Sequence, residues 1–287
     1  NATNIRDALQ NYPNLSSFLE LLNQHKDFET LINTVNQKTI LVPTNSAMVS
    51  TVLNRLSFTD QQALLQYHVL NGTQQESSFA APGGATMQTF LQGNQFANLG
   101  GGQPNVVFTS KFGDSGQGNE THSAQVFSGL GTKSAIEPLN ITFSGGIVHA
   151  VNTMLSLPET CTSTAKQVNL NGLITALRRT NLTEYIDTTP RITCFAPSDA
   201  AFNSSGSPDQ NLSPDLLAQA LKYHTLQGDY IGYTSTWKDG QELTTLAGDS
   251  VVVKHADGVW WVNDVKVLQA NVMTSNGVAH VLDGVSI

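Results

Sequence analysis

Charge is scarce in this chain. Only 13% of its 287 residues are Asp, Glu, Lys or Arg, about half the share of an average soluble domain. Basic residues are the scarcer sign, 14 against 22 acidic ones, for a formal charge of -8. With no Lys/Arg cluster, the sequence argues against nucleic-acid binding and against electrostatic attachment to an anionic membrane. No run of 18 apolar residues is present, so no segment reads as a transmembrane helix. Cysteine is limited to Cys161 and Cys194, too few for a thiolate metal cluster. The pair suits one disulfide, with two buried free thiols as the other reading. The chain starts at Asn1 without Met, basic stretch or apolar h-region, which suggests processing and a removed secretory signal. The sequence also leaves room for a removed lipid-anchor signal.

Neutral polar residues take the place of charge. Asn occurs 24 times, Ser 24 times and Thr 30 times, together more than twice the charged residues. Asn-x-Ser/Thr sequons occur at Asn1, Asn14, Asn71, Asn119, Asn140, Asn181, Asn203 and Asn211. With Ser plus Thr at 54 of 287 positions, 24 asparagines give about 4.5 by chance. Eight is an excess that points to N-linked glycans and an extracellular surface. Asn140 lies where a strand is expected, a poor place for a glycan.

The chain repeats itself. "TILVPTNSAM" at Thr39–Met48 corresponds to "TCFAPSDAAF" at Thr193–Phe202, matching Pro43 to Pro197 and Asn45 to Asp199. "LLQYHVLNG" at Leu64–Gly72 corresponds to "ALKYHTLQG" at Ala220–Gly228, matching Tyr67–His68 to Tyr223–His224. "GGIVHAVN" at Gly145–Asn152 corresponds to "NGVAHVLD" at Asn276–Asp283, matching His149 to His280. The first copy is longer by about 25 residues between its second and third motifs. A Gly/Asn-rich insertion near 80–118 is the expected source. The expected domains are 1–158 and 159–287, joined at Pro158.

Local pattern has the same order in both copies. Near-helical spacing of Leu15, Phe18, Leu19, Leu22, Phe28, Leu31 and Ile32 precedes a short buried strand ending at Pro43. Asn45 and Asp199 stand where helices begin, in segments that carry capping side chains. Ser57 or Thr59, and Ser213 followed by Pro214, open the two Tyr-His helices. Strand signals fill the end of each copy. Helices first and antiparallel strands last make an α+β domain, used twice.

These landmarks, Pro-[TS]-[ND]-x-A-[MF], the Tyr-His pair and Gly-[IV]-[VA]-His-x-[VL]-[ND], resemble those of the fasciclin (FAS1) domain family, over nearly the whole chain. The resemblance implies two tandem domains, each a compact β-sandwich or wedge flanked by helices. It also implies a secreted or cell-surface glycoprotein linked to adhesion or matrix organisation, and the Asn/Ser/Thr-rich composition suggests a fungal source. Adhesive animal members use the neighbourhood of the Tyr-His helix, here Leu64–Leu70 and Ala220–Leu226. A second implicated segment corresponds loosely to Glu137, Pro138, Leu139, Asn140 and Ile141, and to Gln269, Ala270, Asn271, Val272 and Met273. The match is degenerate and there is no RGD tripeptide, so integrin-type binding is not implied.

Each candidate has a bland rival. Tyr67, His68, Tyr223 and His224 are either partner contacts or satisfied core residues, with Asn45 and Asp199 as possible bonding partners of the histidines. His149, His280, Pro43 and Pro197 read as structural. Trp237, Trp260 and Trp261 suit sugar stacking or a local cluster. In a strand, Trp260 and Trp261 point to opposite faces. Ser46, His68 and Asp60 can be drawn as a triad, and His68 with His149, or His224 with His280, as metal ligands, but no established catalytic motif is present. The expectation is a non-enzyme without cofactor or metal. Its partner would be a cell-surface, matrix or wall protein or polysaccharide. The rival reading is a carbohydrate or small-ligand module using the insertion or the aromatic run from Tyr230 to Trp237; a hydrolase is the weakest reading.

Overall fold

The computed structural model describes residues 3–111 and 124–286. The chain divides into two compact units at Leu157/Pro158, and the short stretches Gly93–Gln103 and Gly129–Gly131 group with the second unit.

The first unit holds seven strands: β1 (Lys38–Pro43), β2 (Val69–Asn71), β3 (Ala85–Gln88), β4 (Val106–Lys111), β5 (Ala124–Phe127), β6 (Lys133–Phe143) and β7 (Gly146–Val151). They form one sheet in the order β2-β1-β7-β6-β5-β4-β3. The sheet curls until its ends meet, the Phe90 N–H donating to the Val69 carbonyl at 2.9 Å.

The second unit holds β8 (Ile192–Pro197), β9 (Thr225–Gln227), β10 (Gln241–Thr244), β11 (Ser250–Ala256), β12 (Val259–Val262), β13 (Val265–Thr274) and β14 (Gly277–Leu282). Their order repeats that of the first unit strand for strand, and the Leu246 N–H donates to the Thr225 carbonyl at 2.8 Å where the ends meet. Each unit is thus a nearly closed seven-stranded sheet with helices beside it.

One pair in each sheet is parallel, β1 with β7 and β8 with β14. A parallel pair inside a sheet is buried on both faces, and β8 shows the division of labour. Ile192, Cys194 and Ala196 pack on the helical side, with Leu173, Leu177, Phe202 and Leu217. Phe195 points the other way, into the hollow of the sheet with Trp237, Val253 and Val262. In the first unit, Ile40 and Val42 meet Phe18, Leu22, Phe28 and Ile32 from the predicted helical run.

The glycines of the third motif have a steric reason. A Cβ at Gly146 would lie 1.9 Å from the Lys38 carbonyl oxygen, and one at Gly277 would lie 1.8 Å from that of Ile192. The parallel strands approach too closely there for any side chain.

The extra length of the first copy, expected as one stretch near 80–118, is distributed over three hairpin connections. Seventeen residues separate β3 from β4, against five between β10 and β11. Twelve separate β4 from β5 against two, and five separate β5 from β6 against two. Residues 80–88 belong to the shared fold, because the spans from β2 to β3 and from β9 to β10 are equally long at 13 residues. The 112–118 end of the expected insertion lies outside the described residues.

Candidate functional site

The Tyr-His helices, Phe58–Tyr67 and Pro214–Tyr223, open on Ser57 and Ser213, whose side chains accept the N–H groups of Asp60 and Leu216. Ser, not Thr59, is therefore the cap in the first copy. At the far end His68 Nδ1 lies 2.7 Å from the Leu64 carbonyl and Nε2 accepts the Leu155 N–H at 3.0 Å. His224 repeats this with the Ala220 carbonyl at 2.7 Å and the Ser286 N–H at 3.1 Å. A ring that donates from one nitrogen and accepts at the other is a neutral imidazole. Burial lowers His68 to about 4, against the weaker upward pull of the Leu64 carbonyl, and lowers His224 in the same way.

The tyrosines follow the same logic. Tyr67 is fully buried and donates to the Val106 carbonyl at 2.9 Å. Tyr223 is half-buried and reaches the Ser250 carbonyl at 3.3 Å. Val106 and Ser250 are the first residues of β4 and β11. Tyr67, His68 and His224 thus tie the helix end to the sheet and to the segment after the last strand, leaving no ring face for a partner.

His149 and His280 lock a bulge. His149 Nε2 lies 2.9 Å from the Gln74 carbonyl, and Nδ1 accepts the N–H groups of Leu139 and Asn140 at 3.3 and 3.4 Å. His280 Nε2 lies 2.7 Å from the Gly232 carbonyl, and Nδ1 accepts the Asn271 N–H at 3.1 Å. Burial lowers both, His280 to about 4. The register of β6 on β7 slips between Glu137 and Ile141, and that of β13 on β14 slips between Gln269 and Val272. Asn140 and Asn271 take left-handed φ values of 51° and 57° at these slips. Asn140 is therefore the counterpart of Asn271, one position off the alignment drawn from the sequence. The second segment implied by the family resemblance is this bulge.

Asn45 and Asp199 do not bond the histidines. Asn45 Oδ1 accepts the Ser17 N–H at 2.8 Å and its amide donates to the Pro13 carbonyl at 2.9 Å. Asp199 Oδ1 accepts the Gly172 N–H at 2.8 Å. Ser17 and Gly172 are second residues of the helices Ser16–Leu22 and Asn171–Arg179, neither of which has a side-chain cap of its own. Each side chain caps a helix from outside it. Pro43 and Pro197 close β1 and β8, after which the N–H groups of Thr44 and Ser198 bond the ends of β7 and β14.

The triad and metal drawings dissolve with these assignments. Both nitrogens of His68, His149, His224 and His280 are engaged by backbone groups, and Ser46 Oγ pairs with Thr44 Oγ1 at 3.2 Å. Among the described residues, no three His, Cys, Asp or Glu side chains gather as a metal-holding group. The disulfide expected between Cys161 and Cys194 is not formed in this structure. Both are buried thiols with sulfurs 3.8 Å apart, against about 2.05 Å for a bond.

The sugar-stacking expectation changes too. Trp237 lies in the core, 6% exposed, against Phe195, His280 and Trp260. Trp260 is half-buried on the same side, 4.7 Å from the His255 ring. Trp261 takes the opposite, outer face of β12 and is half-buried there. The six described sequon asparagines, Asn14, Asn71, Asn140, Asn181, Asn203 and Asn211, are all exposed. Asn140 sits on the bulge, which turns it outward from its strand. Asn1 and Asn119 lie outside the described residues.

The landmarks that build this frame are those of a known family, and the fasciclin domain model matches residues 13–158 and 168–286. The chain belongs to the fasciclin domain family. A fasciclin-like arabinogalactan protein of the fungus Phaeosphaeria nodorum is 28% identical over 99% of this chain and 88% of its own length. The transforming growth factor-beta-induced protein ig-h3 of Sus scrofa is 31% identical over 39% of this chain and 17% of its own. A solved FAS1 domain pair from the insect cell adhesion molecule Fasciclin I covers 96% of this chain and 97% of its own, with 18% identity and a TM-score of 0.45. Within the fasciclin frame, sequence reasoning missed the bulge asparagines as a matched pair. Their signal was present: Asn precedes Ile141 and Val272, and Asn tolerates left-handed backbone.

Proposed function

We propose that this fasciclin-family chain works outside the cell, carries N-linked glycans and organises wall or matrix, or mediates adhesion, through recognition by its surface. The observation that carries the reading is a division of labour between inside and outside. Tyr67 and the four histidines His68, His149, His224 and His280 turn inward to hold the frame, while every described sequon asparagine faces solvent. What distinguishes one partner from another then lies on the exposed faces. Two such units in one chain provide two docking surfaces and the avidity that follows from linkage.

The test is to secrete the chain from a eukaryotic host, map glycan occupancy by mass spectrometry before and after enzymatic release, and measure attachment to cells and to isolated wall fragments. Occupied sites and saturable attachment support the reading. Attachment to neither surface overturns it.

A small-ligand reading keeps one observation in its favour. The second unit has an open concavity of about 490 Å³, lined by Leu212, Leu216, Ala220, Tyr223 and Ala247 with Asp249 at hand. Its walls suit an apolar molecule bearing one hydrogen-bond donor. Enhanced fluorescence of an apolar dye, lost in Leu216→Glu, would identify it.

A further inference from the structure

The outer face of β11, β12 and β13 carries a row of three side chains that the frame does not use. Trp261 stands directly across from Lys254 on one side and from Lys266 on the other. Directly opposed residues of an antiparallel pair share a face, and the residues one step along, Val253 and Val262, are the ones buried in the hollow of the sheet. Both lysines are exposed and Trp261 is half-buried. The two lysine Cα atoms therefore lie roughly 10 Å apart, two strand spacings, with an indole between them. In the first unit the corresponding row is Ser110, Gln125 and Ala135, uncharged and buried. The cationic row is thus a property of the second unit, in a chain with only 14 basic residues.

We propose that this row binds an acidic polysaccharide, one built from uronic acid units. The apolar C–H face of one sugar ring lies on the Trp261 indole, and carboxylates on that ring and its neighbour meet the ammonium groups of Lys254 and Lys266. A neutral glycan would use only the stacking, and a small anion only the charge, so the pairing selects a charged sugar polymer. Two acids stand beside the row, Glu242 across from Val252 on the same face and Asp264. Asp264, fully exposed, lies 3.8 Å from the Lys254 ammonium. At that distance and exposure it holds the lysine only weakly, and a bound carboxylate displaces it. The inference rests on the reading of the chain as an extracellular surface-recognition protein and names the ligand class for one of its faces.

The experiment titrates the full chain with polygalacturonate oligomers by calorimetry, with an uncharged galactan as comparison. Unchanged thermal melting of each variant establishes folding. The expected result is saturable binding that is at least tenfold weaker for galactan, for Trp261→Ala and for the Lys254→Gln/Lys266→Gln pair. Asp264→Asn should tighten it several-fold, and added salt should weaken it. Binding that is indifferent to the two lysines overturns the proposal, as does a folded protein that attaches to cells or wall fragments but not to polygalacturonate. Binding of polygalacturonate without any attachment to cells or wall leaves the site standing and overturns the adhesion reading instead. If Trp261→Ala melts early, the lysine pair and Asp264→Asn decide, because these exposed side chains lie outside the core.

Discussion

His68 Nε2 accepts the backbone N–H of Leu155, 87 residues later in the chain, at 3.0 Å. The second copy repeats the bond between His224 and Ser286 at 3.1 Å. In each case the acceptor is the nitrogen that a second proton would occupy, so protonation turns a bond into two N–H groups facing each other.

Acid should therefore loosen both units. His68 and His280 are lowered to about 4 by burial, and His149 and His224 move the same way. An unfolded imidazole titrates near 6.5. Between these values the unfolded chain binds more protons than the folded one, so stability falls as pH drops from about 6.5 toward 4 and levels off below. At about 1.4 kcal/mol per pH unit, His68 and His280 each account for a loss on the order of 3 kcal/mol. Urea midpoints at pH 7, 6, 5 and 4 check this. Glu29, whose carboxylate Arg6 holds low, loses its stabilisation only at more acid pH, so the decline between pH 6.5 and 5 belongs to the histidines. A flat midpoint across that interval would sink the assignment.

Asp199→Ala should cost about 1 kcal/mol, within the range of about 0.5–2 kcal/mol for a lost helix cap. It strips the partner from the Gly172 N–H at the start of Asn171–Arg179. Asn45→Ala should behave alike through the Ser17 N–H, whereas Asp199→Asn keeps an acceptor and most of the stability. Denaturation curves for the three variants give the ranking. Equal stability of Asp199→Ala and the parent would contradict the cap.

These two positions also show how far the sequence could be read. The strand–Pro–cap segment, the Tyr-His helix and the Gly-x-x-His strand were legible because periodicity and turn chemistry are local. Asn45 and Asp199 were legible as capping residues, but the N–H groups they accept lie 28 and 27 residues earlier. The unmet need there, a helix start at Leu15 or Leu170 without a polar cap, leaves no positive mark in the sequence. The histidine partners were harder still, since Leu155, Ser286, Gln74 and Gly232 contribute only backbone groups, and any residue type has those. The inward turn of Trp237 depends on the curl of the whole sheet. By contrast, the opposite faces of Trp260 and Trp261 followed from strand geometry alone.

Cys161 and Cys194 make a prediction about cellular history. Their thiols are buried and 3.8 Å apart, and Cys161 is held protonated, first by its hydrogen bond with Cys194 and then by burial. Made in a reducing cytosol, the denatured chain should react as two thiols. Passed through an oxidising secretory route, it should show none and weigh two hydrogens less. Closing the loop between them should add about 3–4 kcal/mol on the chain-entropy account, read as a higher midpoint than that of the Cys161→Ser/Cys194→Ser pair. Two reactive thiols in secreted material would rule the bond out.

Gly277→Ala should be among the most damaging single changes in the second unit. The added Cβ would meet the Ile192 carbonyl oxygen at 1.8 Å, and that oxygen belongs to a strand held by the β8–β14 ladder on one side and β9 on the other. Neither side can yield by rotating a side chain, so the strands themselves must part. Overpacking a core typically costs 1–3 kcal/mol, and a clash with fixed backbone should reach or exceed the top of that range. Gly146→Ala should do the same to the first unit, with its Cβ 1.9 Å from the Lys38 carbonyl oxygen. Gly248→Ala is the control, since it has positive φ but nothing within 4 Å of the new methyl group. It should lose only about 1 kcal/mol, the backbone strain alone. Hydrogen exchange distinguishes local from global damage. Faster exchange should concentrate on the ladder amides of β8 and β14 in Gly277→Ala and leave them unchanged in Gly248→Ala. If the two variants unfold at the same denaturant concentration, close strand approach is not what fixes glycine in this motif.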